Sequence, residues 1–116
     1  PCHQQYVLKD SAAVENLLAR IPGLDLRPLT DAGLCCGAGG AAFSEQPEIA
    51  AELGARKCAA VAASGAAWVL TGNPGCLLQI ESALRAGGQA LQVGHPASLL
   101  REALHAASPV KSAARR

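Results

Sequence analysis

The chain has 116 residues, half of them apolar, with ten Lys or Arg against nine Asp or Glu and a formal net charge of +1. That length makes one domain or part of one, able to bury roughly 65% of its unfolded surface. The near-neutral balance argues against nucleic acid or an anionic membrane as a partner, and no apolar run approaches the roughly 20 residues that span a bilayer. Only Tyr6, Phe43 and Trp68 are aromatic, so alanine, leucine and valine must fill most of the core, which favours helices packed closely on a sheet.

In chain order, Val14, Leu17, Leu18 and Ile21 fall at i, i+3, i+4 and i+7, one apolar helical face that Pro22-Gly23 ends. Residues 24–29 are expected to form a short strand, with Pro28 at an edge or beyond the ladder. Residues 31–43 read as a loop. Ser44 is expected to cap a helix that has Pro47 in its first turn and runs to about Ala63, with Ile49, Leu53 and Ala60 inward. Residues 67–71 are nearly all apolar, as in a strand buried on both faces. A turn at 72–75 leads into a helix through Leu77, Ile80 and Leu84, which Gly87-Gly88 stops. Leu91 and Val93 mark another strand, and Pro96 opens a last helix with Leu99, Leu100, Ala103 and Leu104. The expected division is a domain over residues 1–107 and a disordered basic tail over 108–116. Alternating strands and helices imply an α/β fold, a parallel sheet with covering helices, in which ligands sit beyond the carboxyl ends of the strands.

The chemistry lies in the five cysteines. An odd number leaves one unpaired in a secreted disulfide framework, whereas a cytosolic metal site needs no even count. Cys35-Cys36 are followed by Gly37-Ala38-Gly39-Gly40. Adjacent cysteines are poorly placed to bridge each other, but in a glycine-rich loop both can face one soft metal centre. Cys2, between Pro1 and His3, and Cys76, after Asn73-Pro74-Gly75, have similar settings. These four read as a metal or cluster site, and thiolates favour iron–sulfur. Cys58 lies mid-helix among alanines and reads as core. Asn73 has two readings, a turn residue before proline or a hydrogen-bond donor to a cluster sulfide. His3 reads as solvated or capping, His95 as a cap, and His105 as a surface residue. Glu45, Glu48 and Glu52 read as a solvated face, and Lys57 as a surface residue that could favour a cluster's negative charge. The glycine loop lacks the Lys-Ser/Thr of a phosphate-binding loop. No nucleophile–base pair or carboxylate dyad stands out, so no catalytic residue is assigned.

The spacing Cys2, Cys35-Cys36-Gly37, Asn73-Pro-Gly-Cys76 resembles the cysteine-rich "CCG" domain of the glycolate oxidase iron–sulfur subunit, of lactate-utilisation proteins and of the B subunit of heterodisulfide reductase. Pro1-Cys2-His3, residues 21–24, 34–40 and 46–48, Lys57, residues 73–80 and 93–96 all share in the likeness, which covers roughly residues 1–106. The family's full pattern ends in Cys-x-x-Cys, and Asn73 stands at the first of that pair, as in many glycolate-oxidase-like members.

The resemblance implies an iron–sulfur cluster, of the 4Fe-4S kind, held by Cys2, Cys35, Cys36 and Cys76, with Gly37, Gly39 and Asn73 adjusting it. It implies electron transfer from a flavoprotein dehydrogenase subunit, which carries FAD and oxidises a 2-hydroxy acid, toward a quinone-linked acceptor. The setting is cytoplasmic, or peripheral at the inner membrane. The alternatives are a heterodisulfide-reductase-like catalytic cluster and a zinc-stabilised structural module. Because the sequence starts at Pro1 with a candidate ligand at residue 2, it is expected to be the C-terminal part of a longer polypeptide whose N-terminal part is a partner and supplies one more strand.

Overall fold

Two short runs of apolar sequence pair in parallel at the centre of the computed structural model, which describes residues 1–27, 29 and 32–107. Strand β1 (Trp68–Leu70) lies beside β2 (Gln92–Gly94), with Trp68 opposite Gln92, Val69 opposite Val93 and Leu70 opposite Gly94. Parallel neighbours need a crossover, and here it is the helix Pro74–Ala86. In chain order the helices are α1 (Ser11–Leu18), α2 (Ala42–Glu45), α3 (Pro47–Ala63), α4 (Pro74–Ala86) and α5 (Pro96–Ala107). A π-helical turn over His3–Leu8 precedes them, closed by Lys9 in the left-handed region. Nothing in the apolar pattern announced that turn. The fold is the expected α/β arrangement, a parallel sheet with covering helices. Among the described residues no helix is long and apolar enough to cross a membrane.

The core gathers where α3, α4 and the sheet meet. Cys36, Cys58, Ile80 and Leu84 are buried together, with Ala38, Val69, Cys76, Ala83, Leu91 and Val93 packed around them. Ile80 and Leu84 point inward from α4 as their spacing predicts, and Gly87 caps that helix. Leu18 is buried from α1 while Leu17 stays exposed.

Four expectations need correction. Residues 24–27 and 29 form no strand: the backbone N–H of Leu24 bonds Ile21 O, and Arg27 reaches Ser64 O through its guanidinium. Between this segment and β1 lies a cavity of about 710 Å³ that both line, so no ladder joins them. Pro28 falls outside the described residues, as does the tail at 108–116. Secondly, the helix expected from Ser44 onward is two helices. Gln46, just before Pro47, adopts φ −134° and ψ 64°, because a residue preceding proline is pushed out of the helical region. Ser44 therefore caps nothing in α3; its hydroxyl donates to Ala41 O inside the first turn.

Thirdly, the buried face of α3 is Ala50, Gly54, Lys57, Cys58 and Val61, with Ile49 left 55% exposed and Leu53 and Ala60 half-buried. Close approach explains it: a Cβ added at Gly54 would sit 3.2 Å from the Ala83 side chain of α4, so small residues face the contact. Lys57, read as a surface residue, is thus buried. Finally, β1 is not buried on both faces, since Trp68 is 42% exposed.

Candidate metal centre

Cys76 reaches the site from the first turn of α4, directly beyond the carboxyl end of β1. Pro74 stands in the first turn of that helix, where its missing N–H does no harm. Asn73 is the N-cap, its side-chain oxygen accepting the Cys76 N–H at 3.1 Å. That side-chain oxygen therefore serves the turn, the first of the two readings of Asn73. Asn73→Ala is expected to cost about 1 kcal/mol through the lost cap, read as a lowered Tm. Asn73→Cys should instead change the absorption of the metal-loaded protein at similar iron content. An unchanged spectrum would leave residue 73 as a turn former only.

Cys35 and Cys36 arrive on the loop that crosses the face of α3. Gly37 is buried with φ +89°, and a Cβ there would collide with the Ala50 carbonyl. The Gly37 N–H donates to Cys35 Sγ at 3.3 Å. Gly39 is exposed, with open space where a Cβ would stand. Cys2 leads into the π-helical turn and comes up beside the pair.

The sulfurs meet. Cys36 and Cys76 thiols lie 2.9 Å apart in a hydrogen bond across 40 residues of sequence. Cys2 lies near enough to Cys35 and Cys36 that both disfavour its ionisation. Three segments of chain thus bring four thiols to one place, on a wall of the cavity that Cys2, Cys36 and Cys76 line. All five cysteines are free of disulfides. Cys58 is elsewhere, 3% exposed among Ile80 and Leu84, its thiol 3.8 Å from the Ile80 carbonyl.

Burial, the hydrogen bond to Cys36 and the nearby charges of Cys36 and Cys2 push the Cys76 thiol up to about 12. Burial, then Cys35 and Cys36, also push Cys2 up. In both the largest cause is burial, and the neighbouring thiols add to it. Cys2 and Cys76 therefore hold their protons more firmly than a free thiol does, and a metal that binds them must displace protons.

The donor chemistry fits an iron–sulfur cluster, since the groups that converge among the described residues are thiols. Among the described residues, no group of three or more His, Cys, Asp or Glu side chains stands in an arrangement for a single metal ion.

Of the histidines among the described residues, His95 lines the same cavity as Cys2, Cys36 and Cys76. His95 Nδ1 accepts the Ala97 N–H at 3.1 Å, the expected cap, and His3 and His105 are exposed. Glu45, Glu48 and Glu52 are exposed as a solvated face. The residue that the sequence misplaced is Lys57. Its burial was legible only in the spacing Ala50, Gly54, Lys57, which continues a small-residue stripe at i, i+4 and i+7.

Comparison with known proteins agrees with this geometry. The chain is 31% identical over 99 residues to lactate utilization protein A of Shouchella clausii, covering 85% of this chain and 41% of that protein. It is 35% identical over 104 residues to the probable glycolate oxidase iron-sulfur subunit of Bacillus subtilis, covering 88% and 23%. It is also 34% identical over 88 residues to the B subunit of the fumarate reductase (CoM/CoB) of Methanothermobacter marburgensis, covering 76% and 18%. The chain thus spans about two fifths of the lactate utilization protein and less of the other two. No solved structure matches it. The sequence pattern of the cysteine-rich domain (CCG) matches residues 1–81, a span that holds all four convergent thiols, and the chain belongs to that family.

Proposed function

We propose that residues 1–107 form an iron–sulfur electron-transfer domain, with Cys2, Cys35, Cys36 and Cys76 as the ligands of one cluster of the 4Fe-4S kind. The observation that carries this reading is the meeting of four thiols from three chain segments, with the Cys36 and Cys76 sulfurs 2.9 Å apart. Kinship with an iron-sulfur subunit of a glycolate oxidase supports it. A bound cluster supplies a site that takes up and releases one electron at a time.

The protein's own part is to hold and insulate that site. Ile80 and Leu84 close the inner side, and an apolar wall on that side shapes the potential. The Gly37 N–H already points at the Cys35 sulfur, and hydrogen bonds to ligand sulfur adjust the potential. Gly39 keeps its stretch of loop free of side-chain bulk, and Asn73 fixes the turn that presents Cys76.

In the larger assembly, the domain would pass electrons from a flavoprotein subunit that oxidises a 2-hydroxy acid toward a quinone-linked acceptor, in the cytoplasm or at the inner-membrane surface. The test is anaerobic purification of the full-length protein. A brown protein whose iron and sulfide are lost on Cys36→Ser supports the reading. A colourless protein that carries zinc, or one whose iron is unaffected by Cys36→Ser, overturns it.

A further inference from the structure

Two of the segments that carry the thiols rest on one turn of α3. Gly37 lies against the Ala50 carbonyl, and a Cβ added at Gly54 would stand 3.7 Å from the Cys36 carbonyl. From the other side, Gln79 of α4 reaches the same turn: its side-chain N–H donates to the Ala50 carbonyl at 2.9 Å. The orientation of that amide follows from chemistry, because a carbonyl only accepts and only the nitrogen end of an amide donates. A Cβ at Gly54 would also stand 3.2 Å from Gln79 Nε2.

Gln79 is half-buried and follows Cys76 by three residues, so the two are neighbours along one side of α4. The Ala50 carbonyl is thus a shared seat, touched by Gly37 from the loop and by Gln79 from the helix. Cys36 stands one residue before Gly37, and Cys76 one turn before Gln79. Their sulfurs lie 2.9 Å apart, a separation that depends on how both segments sit on residues 50–54. Apolar packing on a small-residue face has little direction, whereas a hydrogen bond restricts both distance and angle.

We infer that Gln79 is a positioning residue of the thiol site: its amide ties α4 to the turn of α3 that seats the Cys36–Gly37 peptide, and so fixes the Cys76 sulfur against that of Cys36. The inference rests on the reading of the four thiols as ligands of one cluster. Groups that orient ligands without touching the metal govern how tightly it is held. Without the amide bond, α4 can shift against the loop, and the held group is released sooner from an altered ligand geometry.

The experiment compares Gln79→Met, which keeps the length and loses the donor, with Cys58→Ser, which disturbs the same α3–α4 packing at its 3.8 Å contact with the Ile80 carbonyl. Both are made in the full-length protein, with Tm as the check on folding and with the paramagnetic signal absent from Cys36→Ser marking this site. Gln79→Met is expected to lose iron to a chelator about tenfold faster and to show a shifted signal. Cys58→Ser should keep the unaltered rate and signal even where its Tm falls. Unchanged iron loss, an unshifted signal, or equal changes in Cys58→Ser overturn the inference. If Gln79→Met does not fold, Gln79→Asn decides, since it keeps the amide but stops one methylene short. Faster iron loss from folded Gln79→Asn supports the inference, and unaltered loss or a failure to fold overturns it. An unaltered protein without any cluster signal would sink the cluster reading itself. The yield of Cys36–Cys76 disulfide that oxidised glutathione forms in the metal-free chains then decides Gln79 alone. A several-fold lower yield in Gln79→Met supports its role, and an equal yield overturns it.

Discussion

Serine at position 36 or 76 is expected to strip the site of nearly all its iron, while serine at 58 leaves iron in place. The two outcomes differ because the thiols do. Cys36 and Cys76 sit sulfur to sulfur at 2.9 Å, where no other side chain can replace either. A serine oxygen is a harder and poorer ligand for an iron–sulfur centre than a thiolate. Cys35→Ser should behave similarly, since its sulfur shares the same loop and receives the Gly37 N–H. Cys58 faces away, toward the Ile80 carbonyl at 3.8 Å, and burial alone pushes its thiol up. Its replacement puts a hydroxyl into an apolar pocket, which costs about 1–3 kcal/mol of stability and no metal. Iron and sulfide assays on the four variants, alongside thermal melts, check the contrast. Equal iron loss at Cys58 would remove it from the core assignment.

The second large effect is at Gly37. Gly37→Val should destabilise the domain by about 4 kcal/mol or more, enough to leave little folded protein. Two causes add. The backbone there holds φ +89°, a region that β-branched side chains hardly enter. Any Cβ would also drive into the Ala50 carbonyl, which belongs to the backbone of α3 and has no rotamer to escape with. The loop would have to lift from the helix, taking Cys36 out of the core. Gly39→Ala, two residues on, is the control. It has no positive φ and nothing within 4 Å of its added Cβ, so stability should stay within about 0.5 kcal/mol. Chemical denaturation of the metal-free proteins separates them. Equal melting of the two variants would mean that the loop does not lie on α3 as described.

The cysteine settings made the site legible early because glycine and proline are local signals. Cys35-Cys36 before a glycine run, and Cys76 after Asn-Pro-Gly, read as ligand loops without reference to anything distant. Helix α4 was equally plain, since its inward residues Ile80 and Leu84 follow the helical period and its ends carry proline and glycine. The break at Gln46 has a local signal too, the proline that follows it, and the expected helix erred by only one turn, starting at Ser44 instead of Pro47.

By itself, then, the sequence singled out four thiols that the fold brings together, and determined where most helices run and that the fold mixes helices with a parallel sheet. These depend on neighbours within one or two turns. The tertiary structure alone decided that residues 24–27 stay out of the sheet and that Lys57 is inside. A strand needs a partner edge as well as apolar residues, and β1 offers its pairing to β2 while a cavity separates it from residues 24–27. The buried face of α3 was set by how closely α4 approaches at Gly54. That distance is fixed by packing between elements, and the face it sets leaves Ile49 exposed and Lys57 buried.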